Sequence, residues 1–85
     1  MPTDADQYKC LCMSVLFHRA MYYVHARPVI SDQEYDALEK SLVTFEQEHP
    51  DLVHRDSPAG KPGSDNKDDY PLYVIRFADS VIADL

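Results

Sequence analysis

Asp32 and Asp36 stand four residues apart with Tyr35 between them, and Tyr22 and Tyr23 lie ten and nine residues before Asp32. On a helix the four-residue spacing puts both carboxylates on one face, with the tyrosine ring beside them. Like charges so placed repel by about 0.2–0.5 kcal/mol. Lys40, a further four residues on, and the helix dipole at Asp32 offset part of this. Two readings stay open: a solvated acidic helix start, or an edge that receives a polar ligand. A tyrosine offers a flat face to a planar cation and a hydroxyl for hydrogen bonding. Adjacent helical residues point about 100° apart, so only one of Tyr22 and Tyr23 fits fully in a core, and the other is free for a rim. If the helix carrying Asp32 folds back on the one carrying Tyr22, then Tyr22 and Tyr35 face each other across a slot edged by Asp32 and Asp36. Such a slot suits a positively charged aromatic ring. His18, one turn before Tyr22, is a further candidate for the same slot, against ordinary surface placement.

Other chemistries fit less well. Glycoside hydrolysis needs two carboxyl groups held across a sugar pocket, and 85 residues make too small a scaffold for it. The stretch 60-GKPGSD-65 lacks the order of glycines, lysine and hydroxyl that cradles a phosphate. Cys10 and Cys12 are the only cysteines; on one helix they point about 200° apart, which disfavours a disulfide, and two thiols do not make a zinc site. They read as small residues on an apolar face. His25, His49 and His54 form no metal-ligand spacing. Fifteen acidic residues against eight basic ones give a net charge of -7, which argues against direct nucleic-acid binding. No apolar run is long enough to span a membrane, and the N-terminus lacks the order of a signal peptide, so a cytoplasmic setting is expected.

The elements that must hold these residues are helical. A chain of this length forms one small domain and buries only about two-thirds of its unfolded surface. Residues 1–6 read as a loose end. Met13, Leu16, Phe17, Ala20 and Val24 then predict a helix to about His25, ended by Ala26, Arg27 and Pro28. Ser31 and Glu34 form a capping box, with Ile30 and Tyr35 in the positions of a hydrophobic staple. Tyr35, Leu38, Leu42 and Phe45 mark the second helix, which stops at about Glu48 before His49-Pro50. The expected fold is all-α, an antiparallel αα-hairpin over residues 7–56. Residues 57–71 read as a Pro, Gly and Asp-rich loop. Residues 72–85 carry both alternating and helical spacing, and the favoured reading is an extended start passing into a short terminal helix.

Tyr22-Tyr23, Pro28, 30-ISDQEYDALEKSL-42, 46-EQEHPDL-52 and 56-DSPAGKPG-63 together resemble the N-terminal Ia domain of bacterial NAD-dependent DNA ligases, over about residues 13–63. The resemblance implies a small helical unit that closes over the nicotinamide mononucleotide half of NAD. A separate nucleotidyltransferase domain, or ligase subunit, would supply the lysine that becomes adenylated. By match to the motif, Tyr22 and Tyr35 would flank the nicotinamide, Asp32 and Asp36 would contact its nucleotide, and Tyr23 would also touch it. The chain departs from the family at 57-SPAGKPG-63, where SPTxxVG is usual, and it lacks the lysine-x-Asp-Gly motif. The expectation is a cofactor-recognition module that is not catalytic alone. The alternative is an interaction or regulatory module whose acidic helical face binds a partner in DNA metabolism.

Overall fold

In the computed structural model, which describes residues 3–85, the first helix starts earlier than expected. The Thr3 hydroxyl accepts from the Asp6 amide (3.1 Å) and the Asp6 carboxylate accepts from the Thr3 amide (3.3 Å), a capping box that opens α1, Asp4–Arg19. Helix therefore reaches into the stretch read as a loose end, of which Met1 and Pro2 lie outside the described residues. The same box recurs as anticipated at Ser31 and Glu34, opening α2, Asp32–Glu48. A 3-10 turn at Pro50–Leu52, a long loop and a second 3-10 turn at Lys67–Asp69 lead to α3, Leu72–Asp84.

The end of the first helix is not plain α. Ala20–Val24 form one π turn, in which the His25 amide reaches the Ala20 carbonyl (3.1 Å); just beyond it the Arg27 amide reaches the Met21 carbonyl (2.8 Å). The turn leaves through Ala26, whose φ of 52° lies in the left-handed region that a residue with a Cβ rarely adopts. Pro28 follows, and the chain cannot continue as helix.

The terminal element is a correction. Residues 72–77 do not start extended, and no strand forms among the described residues. The alternating pattern there is outweighed by a helical one, because Val74, Ile75 and Ala78 share a face that is buried, with Val81 and Ile82 packed beside it. Against that face lie Ala20 and Met21, with Leu16, Phe17 and Val24.

α1 thus serves two neighbours. Its N-terminal half, through Tyr8, Cys12 and Val15, packs on Leu38, Leu42 and Phe45 of α2. Its C-terminal half packs on α3. A helix with apolar residues on two faces does not present one clean stripe, which is why Met13, read as part of a single stripe, is exposed, while Tyr8 and Val15 are buried. Val15, Met21 and Leu42 are sealed from solvent, each contributing about 1.5–3 kcal/mol of burial. Cys12 is half-buried and Cys10 is exposed, so only Cys12 belongs to an apolar face. No helix among the described residues is long and apolar enough to cross a membrane.

Candidate functional site

The paired tyrosines lie in the π turn. Within it Ala20 and Met21 lie inward, both at 0% exposure, while Tyr22 and Tyr23 are exposed. At most one of the two could have entered the core, and neither does: Met21 takes that place. The two rings meet edge to face with centroids 4.9 Å apart. Across from them the capped start of α2 presents Asp32, Tyr35 and Asp36. These five residues line one cleft of about 190 Å³.

His18 lies outside that lining. Its ring is edge-on to Phe17 and its Nδ1 is buried without a hydrogen-bond partner. Burial holds its pKa below the ordinary histidine value, against the pull of Glu34.

Tyr35 is fixed by two residues that sequence reading missed. Arg19 Nε donates to the Tyr35 hydroxyl (2.8 Å), which in turn donates to Glu39 Oε1 (2.7 Å). Arg19 Nη2 closes the triangle on the same Glu39 oxygen at 2.6 Å. Arg19 is only 5% exposed, so this is a buried guanidinium with charged and neutral partners. Burial and the bond to Glu39 push the Tyr35 phenol far above its ordinary value, and it stays protonated. For Glu39, burial works against ionisation, but the hydrogen bonds from Tyr35 and Arg19 outweigh it and hold the carboxylate below its usual range. The available signals were a lone arginine beside the apolar residues of α1 and a glutamate one turn after Tyr35.

The loop after α2 is tied back by a second polar cluster. Glu46 accepts from Tyr8 Oη and Ser57 Oγ, and the Tyr8 hydroxyl accepts from the His54 amide (3.1 Å). Ser57 Oγ also accepts from the Ala59 amide at 3.1 Å. One carboxylate on α2 thereby joins α1 to the start of 57-SPAGKPG-63, which gives 46-EQEHP-50 and the DSP segment a physical reason to occur together.

Asp32 and Asp36 are exposed, and among the described residues neither takes part in an ion pair. Lys40 therefore does not neutralise Asp36 by direct contact. The cleft is smaller than the roughly 300–1,000 Å³ of drug-sized sites, so its aromatic walls and acidic rim suit one flat cationic ring and not a whole dinucleotide. Asp36 also edges a neighbouring groove of about 470 Å³ that includes Arg19, Lys40 and Thr44. No three metal-ligating side chains converge among the described residues.

A family model described as the DNA ligase-like, N-terminal NAD+-binding domain matches residues 1–63. The chain belongs to this family. The DNA ligase of Kocuria rhizophila is 47% identical over 66 residues, which are 75% of this chain and 9% of that protein. For the DNA ligase of Clostridioides difficile the figures are 38% over 71 residues, 84% and 10%. The DNA ligase of Petrotoga mobilis is 45% identical over 58 residues, 68% of this chain and 9% of that protein. The chain spans about a tenth of the length of the curated relatives it matches. In this ligase-like NAD+-binding domain, all five cleft residues and both polar clusters fall inside the matched region, while α3 lies beyond it.

Proposed function

We propose that the cleft receives the nicotinamide end of NAD, or nicotinamide mononucleotide, and orients it for a nucleotidyltransferase partner. The observation that carries this is the gathering of Tyr22, Tyr23, Tyr35, Asp32 and Asp36 around one ring-sized cleft. Membership of a family described as NAD+-binding supports it. Nicotinamide in its oxidised nucleotide is a planar cation, and the residues present fit it: Tyr22 and Tyr35 would flank the ring, Tyr23 would also touch it, and the two carboxylates would contact the nucleotide and balance its charge.

The cofactor's contribution is an adenylyl group that passes to a lysine, with nicotinamide mononucleotide as the leaving group. These 85 residues hold no lysine-x-Asp-Gly motif, so that lysine belongs to the partner domain or subunit. The role left to this domain is orientation. Fixing the leaving group in line with the attacking lysine lowers the barrier by removing freedom before the reaction, an effect of binding and not of covalent chemistry. The Arg19–Tyr35–Glu39 triangle serves it by locking one wall of the cleft, so that less freedom is lost on binding.

Titration with nicotinamide mononucleotide, followed by amide and tyrosine resonances, tests the reading. Affinity is expected to be weak, because one side of the cleft is open to solvent. The double change Asp32→Asn with Asp36→Asn should weaken binding by about tenfold or more while leaving the fold intact. Absence of binding to the folded protein, both alone and with a ligase nucleotidyltransferase domain present, rejects the proposal.

A further inference from the structure

We infer that Gly63 is a positioning residue for the aromatic side of the cleft: the absence of a side chain at this position sets where the Tyr23 ring rests, and through it Tyr22. A Cβ built on Gly63 would fall 2.1 Å from Tyr23 Cε2, 2.5 Å from Cδ2 and 2.7 Å from Cζ. No carbon approaches another so closely, so the ring lies on the space that any other residue would fill. The requirement is one of room and not of backbone angle. It differs from that of Gly60, whose φ of 73° needs a glycine although nothing stands near its missing side chain.

Which partner would yield follows from how each is held. The loop carrying Gly63 is anchored on both sides. Ser57, before it, is buried and bonded to Glu46. Ser64, after it, donates its amide to Tyr70 Oη (3.3 Å) and accepts from the same hydroxyl through its carbonyl (2.6 Å). Tyr70 is itself 8% exposed and packed in the α1–α3 cluster. Tyr23, by contrast, is 42% exposed and free to swing about its side-chain bonds. A methyl group at position 63 therefore moves the ring and not the loop. Because Tyr22 meets Tyr23 edge to face at 4.9 Å, it loses the contact that orients it.

The consequence for the ligand rests on the proposed nicotinamide site, but the positioning itself does not. The test uses the 85-residue chain with labelled tyrosine rings and compares Gly63→Ala with the unchanged protein. The expected result is that the Tyr23 and Tyr22 ring resonances shift without ligand, while those of Tyr8 stay in place. Nicotinamide mononucleotide should then bind roughly 10- to 100-fold more weakly. In a Tyr23→Ala background the same Gly63→Ala change should alter affinity by no more than about twofold, because the ring it displaces is gone. That background also relieves the steric conflict, so a folded protein is available if the single variant unfolds. Unchanged Tyr23 resonances in Gly63→Ala overturn the inference. So does an equal loss of affinity with and without Tyr23. If the unchanged protein fails to bind nicotinamide mononucleotide, the functional reading falls, while the ring resonances still decide the role of Gly63.

Discussion

The two sides of α1 are built by different physics. Toward α2 the interface mixes apolar contacts with directional polar bonds: Arg19 with Tyr35 and Glu39, and Glu46 with Tyr8 and Ser57. Toward α3 it is a cluster of Ala20, Met21, Tyr70, Val74, Ile75 and Ala78, beside which stand the anchor from Tyr70 to Ser64 and an approach of His25 Nε2 to Asp79 Oδ1 at 3.1 Å. Hydrogen bonds fix angles, whereas burial is non-directional. The side that must hold a tyrosine at a set orientation uses the first. The side that must hold the π turn against the rest of the molecule uses the second. The division also follows the family boundary, since α3 lies outside the matched residues 1–63.

Three changes probe this contrast. Met21→Ala strikes the non-directional side, where a fully buried side chain supports the π turn from behind. It should cost about 3 kcal/mol of stability, read as a lower midpoint in urea, and should loosen Tyr22 and Tyr23 at the same time. A loss confined to stability, with unchanged tyrosine resonances, would separate the α3 side from the cleft.

Glu39→Gln strikes the directional side. Removing the charge leaves Arg19 buried with a weaker partner. Because the Glu39 side chain is 37% exposed, the cost should be about 2 kcal/mol near neutral pH, below the roughly 3–5 kcal/mol of a fully buried pair. The pH dependence has a definite sign. Glu39 is held below its ordinary value of 4.5 in the folded protein, so its contribution is complete above that value and is lost as pH falls through the folded value. The variant should be less stable at neutral pH and show a shallower acid limb. Parallel stability curves for the two proteins between pH 6 and pH 3 would remove the triangle from the account.

Ala26→Gly is the smallest effect and the only gain. The left-handed φ of 52° costs an alanine about 1 kcal/mol that a glycine does not pay, so thermal stability should rise by that order. If the gain is accompanied by weaker ligand binding, the strain at the exit of the π turn serves the cleft; if binding is unchanged, Ala26 belongs to the fold alone.

Much of the acidic side of the cleft was legible. Ser31 and Glu34 fix the start of α2 by local bonding, and once that start is known a 3.6-residue period puts Asp32, Tyr35 and Asp36 together. The tyrosine side was legible only in part. The exposure of both Tyr22 and Tyr23 follows from the burial of Ala20 and Met21 against α3, a contact that the local pattern does not show. The terminal helix was obscured by β-branched and aromatic residues that carry two periods at once. His18 shows the limit of counting turns: its position one turn before Tyr22 puts it near the same face, but its ring packs edge-on to Phe17 with a buried Nδ1, and the structure leaves it out of the cleft lining.

What the sequence determined by itself is therefore what short-range forces settle: the αα-hairpin, the cap of α2, the breaks at Pro28 and Pro50, the acidic face of α2 and the family. What only the tertiary structure decided is which side chains meet across elements. Arg19 reaches Tyr35 and Glu39, Ser57 reaches Glu46, and Tyr23 rests on Gly63, forty residues away in the chain. Such contacts have no local signature, because each residue alone reads as an ordinary surface arginine, loop serine or turn glycine. Their meaning appears only when burial removes the water that would otherwise satisfy them.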